Sequence, residues 1–381
     1  MLSKSITRIA GITMLCGASI AFVGGMTTKV VSAAPAPEAP KLVVSGLFDG
    51  YYSYTSESHK QSVVNPGAGA YVLRNGTPTI ALAELNLTQA APTAGGFGYK
   101  ATFITGDTAD INHGVFGGGN NRESRYKNVQ QLYGTYLTSA GYGVDFGKFY
   151  TPFGYEVTES NANWNYTRST AFNYLPFYHT GIRVYTPSMK GFVFTGYLFN
   201  AFYNSATEGV SSNNKKIKGA GQILFTDPNG KYTFIENVGG GYDQPQGAPE
   251  LRSFLSDTCF TYTISAADSV GLNYDYTKQY QAAAKRTVNA WAVYYKHQLD
   301  PKQAVALRYS GAQDKTDVGG VSTTVKPFDV TATYEMKLSP AWLTRLEYRY
   351  DNSNVPSFLD NNGVISKKSQ NTIVASEVFT F

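Results

Sequence analysis

From residue 41 onward the chain alternates. Trp342, Thr344, Leu346, Tyr348 and Tyr350 fall on one face of an extended segment, and Leu343, Arg345, Glu347, Arg349 and Asp351 fall on the other. Phe328, Val330, Ala332, Tyr334 and Met336 oppose Asp329, Thr331, Thr333, Glu335 and Lys337 in the same way, and Val270, Leu272, Tyr274 and Tyr276 oppose Gly271, Asn273, Asp275 and Thr277. Phe254, Thr258, Phe260, Tyr262 and Ile264 oppose Ser253, Asp257 and Thr261. A helix cannot sort these residues, because its neighbours on one face lie three and four apart, whereas a strand changes face at every residue. After about residue 30 no run of 18 apolar residues occurs, which excludes a bundle of membrane-spanning helices.

The connections between alternating segments sort by length. Short turns fall at Ala91–Gly96, Ser139–Gly143, Pro187–Gly191, Asp227–Gly230, Ser265–Ser269, Leu299–Lys302 and Leu338–Ala341. Longer polar segments lie between them, at about 57–78, 107–126, 151–177, 205–214, 243–250, 280–287, 314–325 and 353–369. Fifteen connections join sixteen strands, with fourteen and eighteen as the neighbouring counts. A soluble β-sandwich also alternates but has no reason to separate its loops by length. A sheet in hydrocarbon must pair both edges of every strand, because an unpaired N–H or C=O there costs several kcal/mol. The pattern therefore predicts an all-β fold, a transmembrane antiparallel up-and-down β-barrel with short turns at one rim and long loops at the other.

Composition agrees. Only 15% of the 381 residues are charged, against about 25% in an ordinary soluble domain, while aromatics reach 14%, with 29 Tyr and 22 Phe. Residues 1–33 read as a secretory signal peptide. Lys4 and Arg8 begin it, a mostly apolar stretch runs from Ile9 to Gly25, and Val31-Ser32-Ala33 offers a cleavage site. An uncleaved anchor is the rival reading, and Cys16 lacks the small preceding residue that lipidation would need. A Pro/Ala-rich lead-in spans 34–40, and the barrel occupies 41–381. Without the leader, 29 cations face 27 acids, a net of +2. Such a balance gives no concentrated basic face and no support for a nucleic-acid partner. Cys259 alone survives cleavage, so no internal disulfide forms.

Three stretches carry a family resemblance: Phe146-Gly147-Lys148-Phe149-Tyr150-Thr151-Pro152-Phe153-Gly154-Tyr155-Glu156, Asn163-Trp164-Asn165-Tyr166-Thr167-Arg168-Ser169, and Leu175-Pro176-Phe177-Tyr178-His179-Thr180-Gly181-Ile182-Arg183. With Gly46 to Tyr52 and Ala83-Glu84-Leu85, they resemble the OmpL-like family of β-barrel porins of Gram-negative bacteria. The resemblance implies a cell outer-membrane barrel that passes small hydrophilic solutes or ions, with no catalytic residues and no cofactor. The closing Phe381, after Ile373, Ala375 and Phe379 on one face, looks like the signal read by the outer-membrane assembly machinery. Glu377 interrupts that apolar face.

The segment 151–177 is the third long loop, and in sixteen-stranded general porins the third loop folds inward and narrows the lumen. Glu156, Glu159 and Arg168 of this loop are expected at the constriction. Wall charges drawn from the polar strand faces are Arg183, Lys296, Arg308, Arg345 and Arg349, with Glu335 and Glu347 as counter-charges. Rings of charge at a constriction select by sign, while the plain alternative for each residue is a structural ion pair. Parity puts Lys148 on the lipid side unless the strand bulges. His59, His113, His179 and His297 lack metal-ligand spacing, no G-x-S-x-G elbow occurs, and Gly147-Lys148 is not a phosphate loop. A hydrolytic pairing of His179 with Ser169 is a minor alternative. Lys215-Lys216-Lys218, Arg122-Arg125-Lys127 and Lys367-Lys368 could dock lipopolysaccharide or simply be a solvated rim. The leading expectation is a passive porin in outer-membrane lipid, with a homotrimer left open. The alternative is a closed barrel acting as adhesin or anchor.

Overall fold

The computed structural model describes residues 40–56, 71–113, 126–202, 216–243 and 249–381. The expected signal peptide lies outside them. The strands in chain order are β1 (Leu42–Thr55), β2 (Thr79–Gln89), β3 (Gly96–Thr105), β4 (Val129–Leu137), β5 (Gly143–Tyr150), β6 (Tyr178–Tyr185), β7 (Phe192–Phe199) and β8 (Gly219–Thr226). They continue as β9 (Tyr232–Asp243), β10 (Leu251–Thr263), β11 (Asp268–Gln281), β12 (Ala284–Gln298), β13 (Gln303–Val318) and β14 (Val321–Val325). The last are β15 (Phe328–Ser339), β16 (Trp342–Asn352), β17 (Phe358–Leu359), β18 (Ile365–Lys367) and β19 (Ser369–Thr380). A single short helix, α1 (Asp107–Asn112), is assigned among the described residues apart from two 3-10 turns.

Each barrel strand pairs antiparallel with its sequence neighbour, and β1 also pairs with β19, with Phe48 opposite Phe379 and Tyr52 opposite Ala375. β13 pairs directly with β15. β14 only prolongs the β13 hairpin, and β17–β18 form a separate ribbon, so the closed wall has sixteen staves. Phe381 completes the seam, its N–H and C=O exchanging 3.1 Å bonds with Gly46. No edge remains to face hydrocarbon.

The alternation sets inside and outside. Arg345, Glu347, Arg349 and Asp351 of β16 are buried in the lumen, while Leu346 and Tyr348 are exposed on the outer wall. Glu377 does face outward, but Trp342 Nε1 donates to it at 2.5 Å and Thr344 Oγ1 at 2.8 Å. Two expected loops are absent as such. Around 280–287 the strands run on and turn at Ala282 and Ala283, with Ala282 at φ 49°. Around 314–325 the chain continues as β13, turns at Gly319 and Gly320, and returns as β14. Polar sequence there marks where the wall enters water, and the hydrogen-bonded ladder continues past that point.

Lys148 also departs from expectation. Gly147 adopts φ 137° with its ladders to β4 and β6 in unbroken register, and beyond it both faces of β5 are covered: Phe149 packs in the apolar cluster with Tyr197 and Leu255, and Lys148 is buried against the Tyr178 ring with Nζ 2.8 Å from His113 Nε2 and 2.6 Å from the Val129 carbonyl. A Cβ at Gly147 would lie 2.2 Å from the Leu132 carbonyl oxygen. Gly147→Val should therefore lower the barrel's unfolding free energy by roughly 1–3 kcal/mol from backbone strain alone, read by urea unfolding in lipid vesicles.

Candidate functional site

The segment 151–177 leaves β5, enters the lumen and returns as β6. It holds two 3-10 turns, Ser160–Ala162 and Ala171–Tyr174, and otherwise irregular backbone. Irregular backbone exposes polar groups that a ladder would have paired, so each needs another partner once buried. The lumen wall supplies them.

Arg308 of β13 is completely enclosed. Its Nε donates to Asp329 Oδ1 at 3.0 Å, Nη1 to Glu156 Oε1 at 3.1 Å, and Nη2 to Thr167 Oγ1 at 3.1 Å. Arg349 of β16 pairs with Asp351 at 2.7 Å and donates to the Arg168 carbonyl at 2.5 Å. Arg345 pairs with Glu335 at 2.6 Å and donates to the Ser160 and Asn163 carbonyls at 2.7 and 2.8 Å. Glu347 accepts from the Tyr166 N–H at 2.6 Å and the Thr167 N–H at 3.0 Å, and Asp329 accepts from the Thr170 N–H at 2.9 Å. Arg308, which also donates to the Thr167 carbonyl, Arg345 and Arg349 thus each join a wall carboxylate to a loop carbonyl, and two wall carboxylates take loop amides. Arg168 turns back on its own loop, donating to the Val157 carbonyl at 2.8 Å and to the Tyr166 and Thr158 carbonyls, with its guanidinium over the Tyr71 ring. Asp49 of β1 adds a further anchor, accepting from Ser160 Oγ at 2.6 Å and Tyr166 Oη at 2.9 Å.

The opposite side of the loop is held by apolar contact. Phe153 and Leu175 pack with Phe149, Tyr197, Phe199, Phe202 and Leu255 in a buried cluster. Tyr155 stacks on Tyr294 of β12, centroids 4.6 Å apart, and Trp164 meets both edge-on. The loop is therefore fastened to both walls and bridges the lumen. Its water-exposed residues are Val157, Asn161 and Ala162.

Of the charges expected at the constriction, Glu156, Arg168, Arg308, Arg345, Glu347 and Arg349 converge on this one network. Lys296 joins at its edge, 3.1 Å from Glu335. Glu159 does not face a wall cation. It accepts from Tyr150 Oη at 2.6 Å and lies beside the Glu84 carboxyl of β2. Arg183 is outside the network too, paired with Asp145 at 2.5 Å and stacked over the Tyr133 and Phe149 rings. Asp329, Asp49 and Thr167 were not singled out from sequence, although strand parity alone puts Asp329 on the polar face. Ser169 and His179 do not meet: Ser169 Oγ accepts from the Phe172 N–H at 3.1 Å, while His179 lies against Thr151 Oγ1, the Ala201 carbonyl and the Phe199 ring. Of the expected rim cations, Arg122, Arg125 and Lys215 lie outside the described residues, Lys216 pairs with Glu250 at 2.7 Å, and Lys127 with Asp110 at 2.8 Å.

The family described as Putative beta-barrel porin-2, OmpL-like, matches residues 41–381. The chain belongs to that family. No curated protein matches this porin-family chain. Among solved structures it is similar to the trimer form of in-vitro folded OmpT, an outer membrane protein of Vibrio cholerae, at 12% identity and TM-score 0.61, covering 90% of this chain and 100% of that one. It is similar to an anion-selective porin from Comamonas acidovorans at 14% identity and TM-score 0.61, covering 90% and 99%. It is also similar to the outer membrane channel DcaP of Acinetobacter baumannii at 12% identity and TM-score 0.61, covering 92% and 100%. At such identities the likeness is one of fold, that of outer-membrane porins.

A second insertion lines the porin's lumen. Ala109 of α1 packs with Leu47, Leu82, Ile104 and Val378. His113, at the end of α1, contacts the Ala109 carbonyl through Nδ1 at 2.9 Å and the Lys148 ammonium through Nε2 at 2.8 Å. Burial, aided by the Lys148 ammonium, pushes its imidazole down to about 3. Two outcomes follow. Arg308→Ala strands Glu156 and Asp329 in the interior, and should cost roughly 3–5 kcal/mol in urea unfolding, as for breaking one side of a buried ion pair. His113 has a native pKa below its ordinary value of about 6.5, so protons bind the unfolded chain better. Its stabilising contribution is whole above that value and falls as the pH drops toward about 3. His113→Gln should flatten this acid limb of the stability profile.

Proposed function

We propose that this barrel is a passive porin whose passage runs beside the loop 151–177. The observation that carries the reading is the division of the lumen. The side facing β13–β16 is filled by the arginine network, whereas Lys100, Arg183 and Gln222 on the lumen face of β3, β6 and β8 are not fully buried, and the loop itself exposes Val157, Asn161 and Ala162. Small hydrophilic solutes or ions would pass down their gradient there, with no covalent step. Charge preference would then rest on Lys100, Glu159, Arg183 and Lys296. Arg308, Arg345 and Arg349 are committed to holding the loop. Outer-membrane lipid would cover the apolar wall, lipopolysaccharide would meet Lys127, Lys216, Lys367 and Lys368 at the rim, and the assembly machinery would read Phe381. A homotrimer fits this picture, and one of the similar structures is of a trimer.

The bridging loop favours a second reading, a closed barrel serving as anchor or adhesin. Planar-bilayer recording separates them. The porin reading expects steady ohmic steps from the intact protein and larger steps after removal of residues 158–172. Unchanged conductance in the deletion contradicts the loop's role, and steps that appear only in the deletion support the closed barrel. The reversal potential under a salt gradient then gives the ion sign.

A further inference from the structure

Between the loop and the short-turn ends of β9, β10 and β12 lies a cavity of about 280 Å³. The loop lines it with Tyr155 and Trp164, and the wall with Thr233 and Ile235 of β9, Thr261 of β10 and Tyr294 of β12. Its three rings hold one another in place. Tyr155 lies flat on Tyr294, and Trp164 stands edge-on to both at 6.1 and 6.3 Å. The wall is cut to receive the Tyr155 phenol, because a Cβ at Gly271 of β11 would lie 2.3 Å from its Oη. The one charged residue on the lining, Glu156, has both oxygens engaged: Oε1 accepts from Arg308 at 3.1 Å and Oε2 from the Ser169 N–H at 2.8 Å. The polar groups that remain are neutral. Tyr155 Oη accepts from Thr261 Oγ1 at 3.3 Å, which leaves its own O–H to donate. The half-buried Thr233 hydroxyl and Trp164 Nε1 have no hydrogen-bond partner among the described residues.

A charged ligand would find no counter-charge in this cavity. What it offers is fixed aromatic surface together with hydroxyl and N–H groups, the usual make-up of a small-molecule site. Its volume is just under the roughly 300–1,000 Å³ of sites for drug-sized ligands, which suits one substituted ring and no longer chain. A sugar ring in its chair form has the matching division. Its C–H groups make an apolar face that lies against the negative face of an aromatic ring, and its hydroxyls surround the edge as donors and acceptors. We propose that this cavity is a binding subsite for a single neutral pyranose ring. Tyr155, Trp164 and Tyr294 supply the ring surface, and Tyr155 Oη, Thr233 and Trp164 Nε1 supply hydrogen bonds to the sugar hydroxyls. An acyclic polyol lacks the flat C–H face. A nucleobase needs free aromatic faces to stack on, and Tyr155 and Tyr294 already cover one of each other's. The inference rests on the reading of the lumen as a solute passage, and a subsite on a passage must hold its solute weakly enough to let it leave.

The test titrates the full-length barrel in detergent with D-glucose and follows tryptophan emission. Glycerol is the control that carries hydroxyls without a ring. Trp164 is the reporter, since Trp291 and Trp342 lie on the opposite faces of their strands from the buried Ala290, Ala292 and Arg345. The proposal expects a saturable change with glucose in the millimolar range, lost in Trp164→Phe, and no saturation with glycerol. Tyr155→Phe keeps the stacked ring and removes one O–H, and Thr233→Val removes another. Each should raise the dissociation constant roughly three- to tenfold, the worth of one neutral hydrogen bond, and either serves if the other does not fold. The subsite is overturned by a wild type without a saturable change, by a change that survives in Trp164→Phe, by equal responses to glucose and glycerol, or by undiminished binding in both hydroxyl variants. Adenosine binding tighter than glucose would overturn the sugar class. A barrel that conducts in bilayers but ignores glucose defeats the subsite and leaves the porin reading standing, and one that binds glucose but gives no ohmic steps does the reverse.

Discussion

The pairing demand of backbone in hydrocarbon governs this molecule. A strand with a free edge cannot persist in lipid, so the chain closes β1 onto β19 and seals the seam with Phe381 and Gly46. Closure fixes which residues look out and which look in. The outer wall takes the aromatic and branched residues. Most charged residues of the strands, few as they are, lie in the lumen and at the rims, and the outward Glu236 and Glu377 are each held by two side-chain donors of the neighbouring strand.

That concentration creates the second problem the structure solves. Arginines on β13 and β16, either side of the acid-bearing β15, cannot be buried with their donors idle. The loop 151–177 has the complementary difficulty, because its irregular backbone carries carbonyls and amides with no ladder to join. Arg308, Arg345 and Arg349 take its carbonyls, Glu347 and Asp329 take its amides, and each need answers the other. On the far wall Phe153 and Leu175 attach by apolar packing, supplemented where the loop begins by the Gly154 N–H to Asp257 and by Asn237 to the Pro152 carbonyl.

Much of this fold is written in period two. The sixteen strands, the closed wall and the seven short turns follow from alternation and loop length, because lipid on one side enforces the pattern residue by residue. The 280–287 and 314–325 segments misled because polar sequence signals water, and a hairpin in water can keep its ladder. Lys148 misled because beyond Gly147 both faces of β5 are covered by protein, one by Phe153 and its apolar cluster and the other by His113 and Tyr178. The site was legible at the level of face and not of partner. Parity puts Arg308 and Asp329 in the lumen, but no local pattern says that Arg308 meets Glu156, 152 positions away, or that Glu159 lies beside Glu84. Those pairings depend on the course of an irregular loop, which carries no periodic signal.

The central claim is that the loop is bolted across the lumen with one edge left in water. Thiol accessibility tests it directly. Cysteines placed singly at Asn161, Thr167 and Thr170 in a Cys259→Ser background, probed with a small charged maleimide on the folded barrel, report which positions water reaches. The account predicts rapid labelling at 161 and almost none at 167 or 170. Equal rates at all three positions would contradict it.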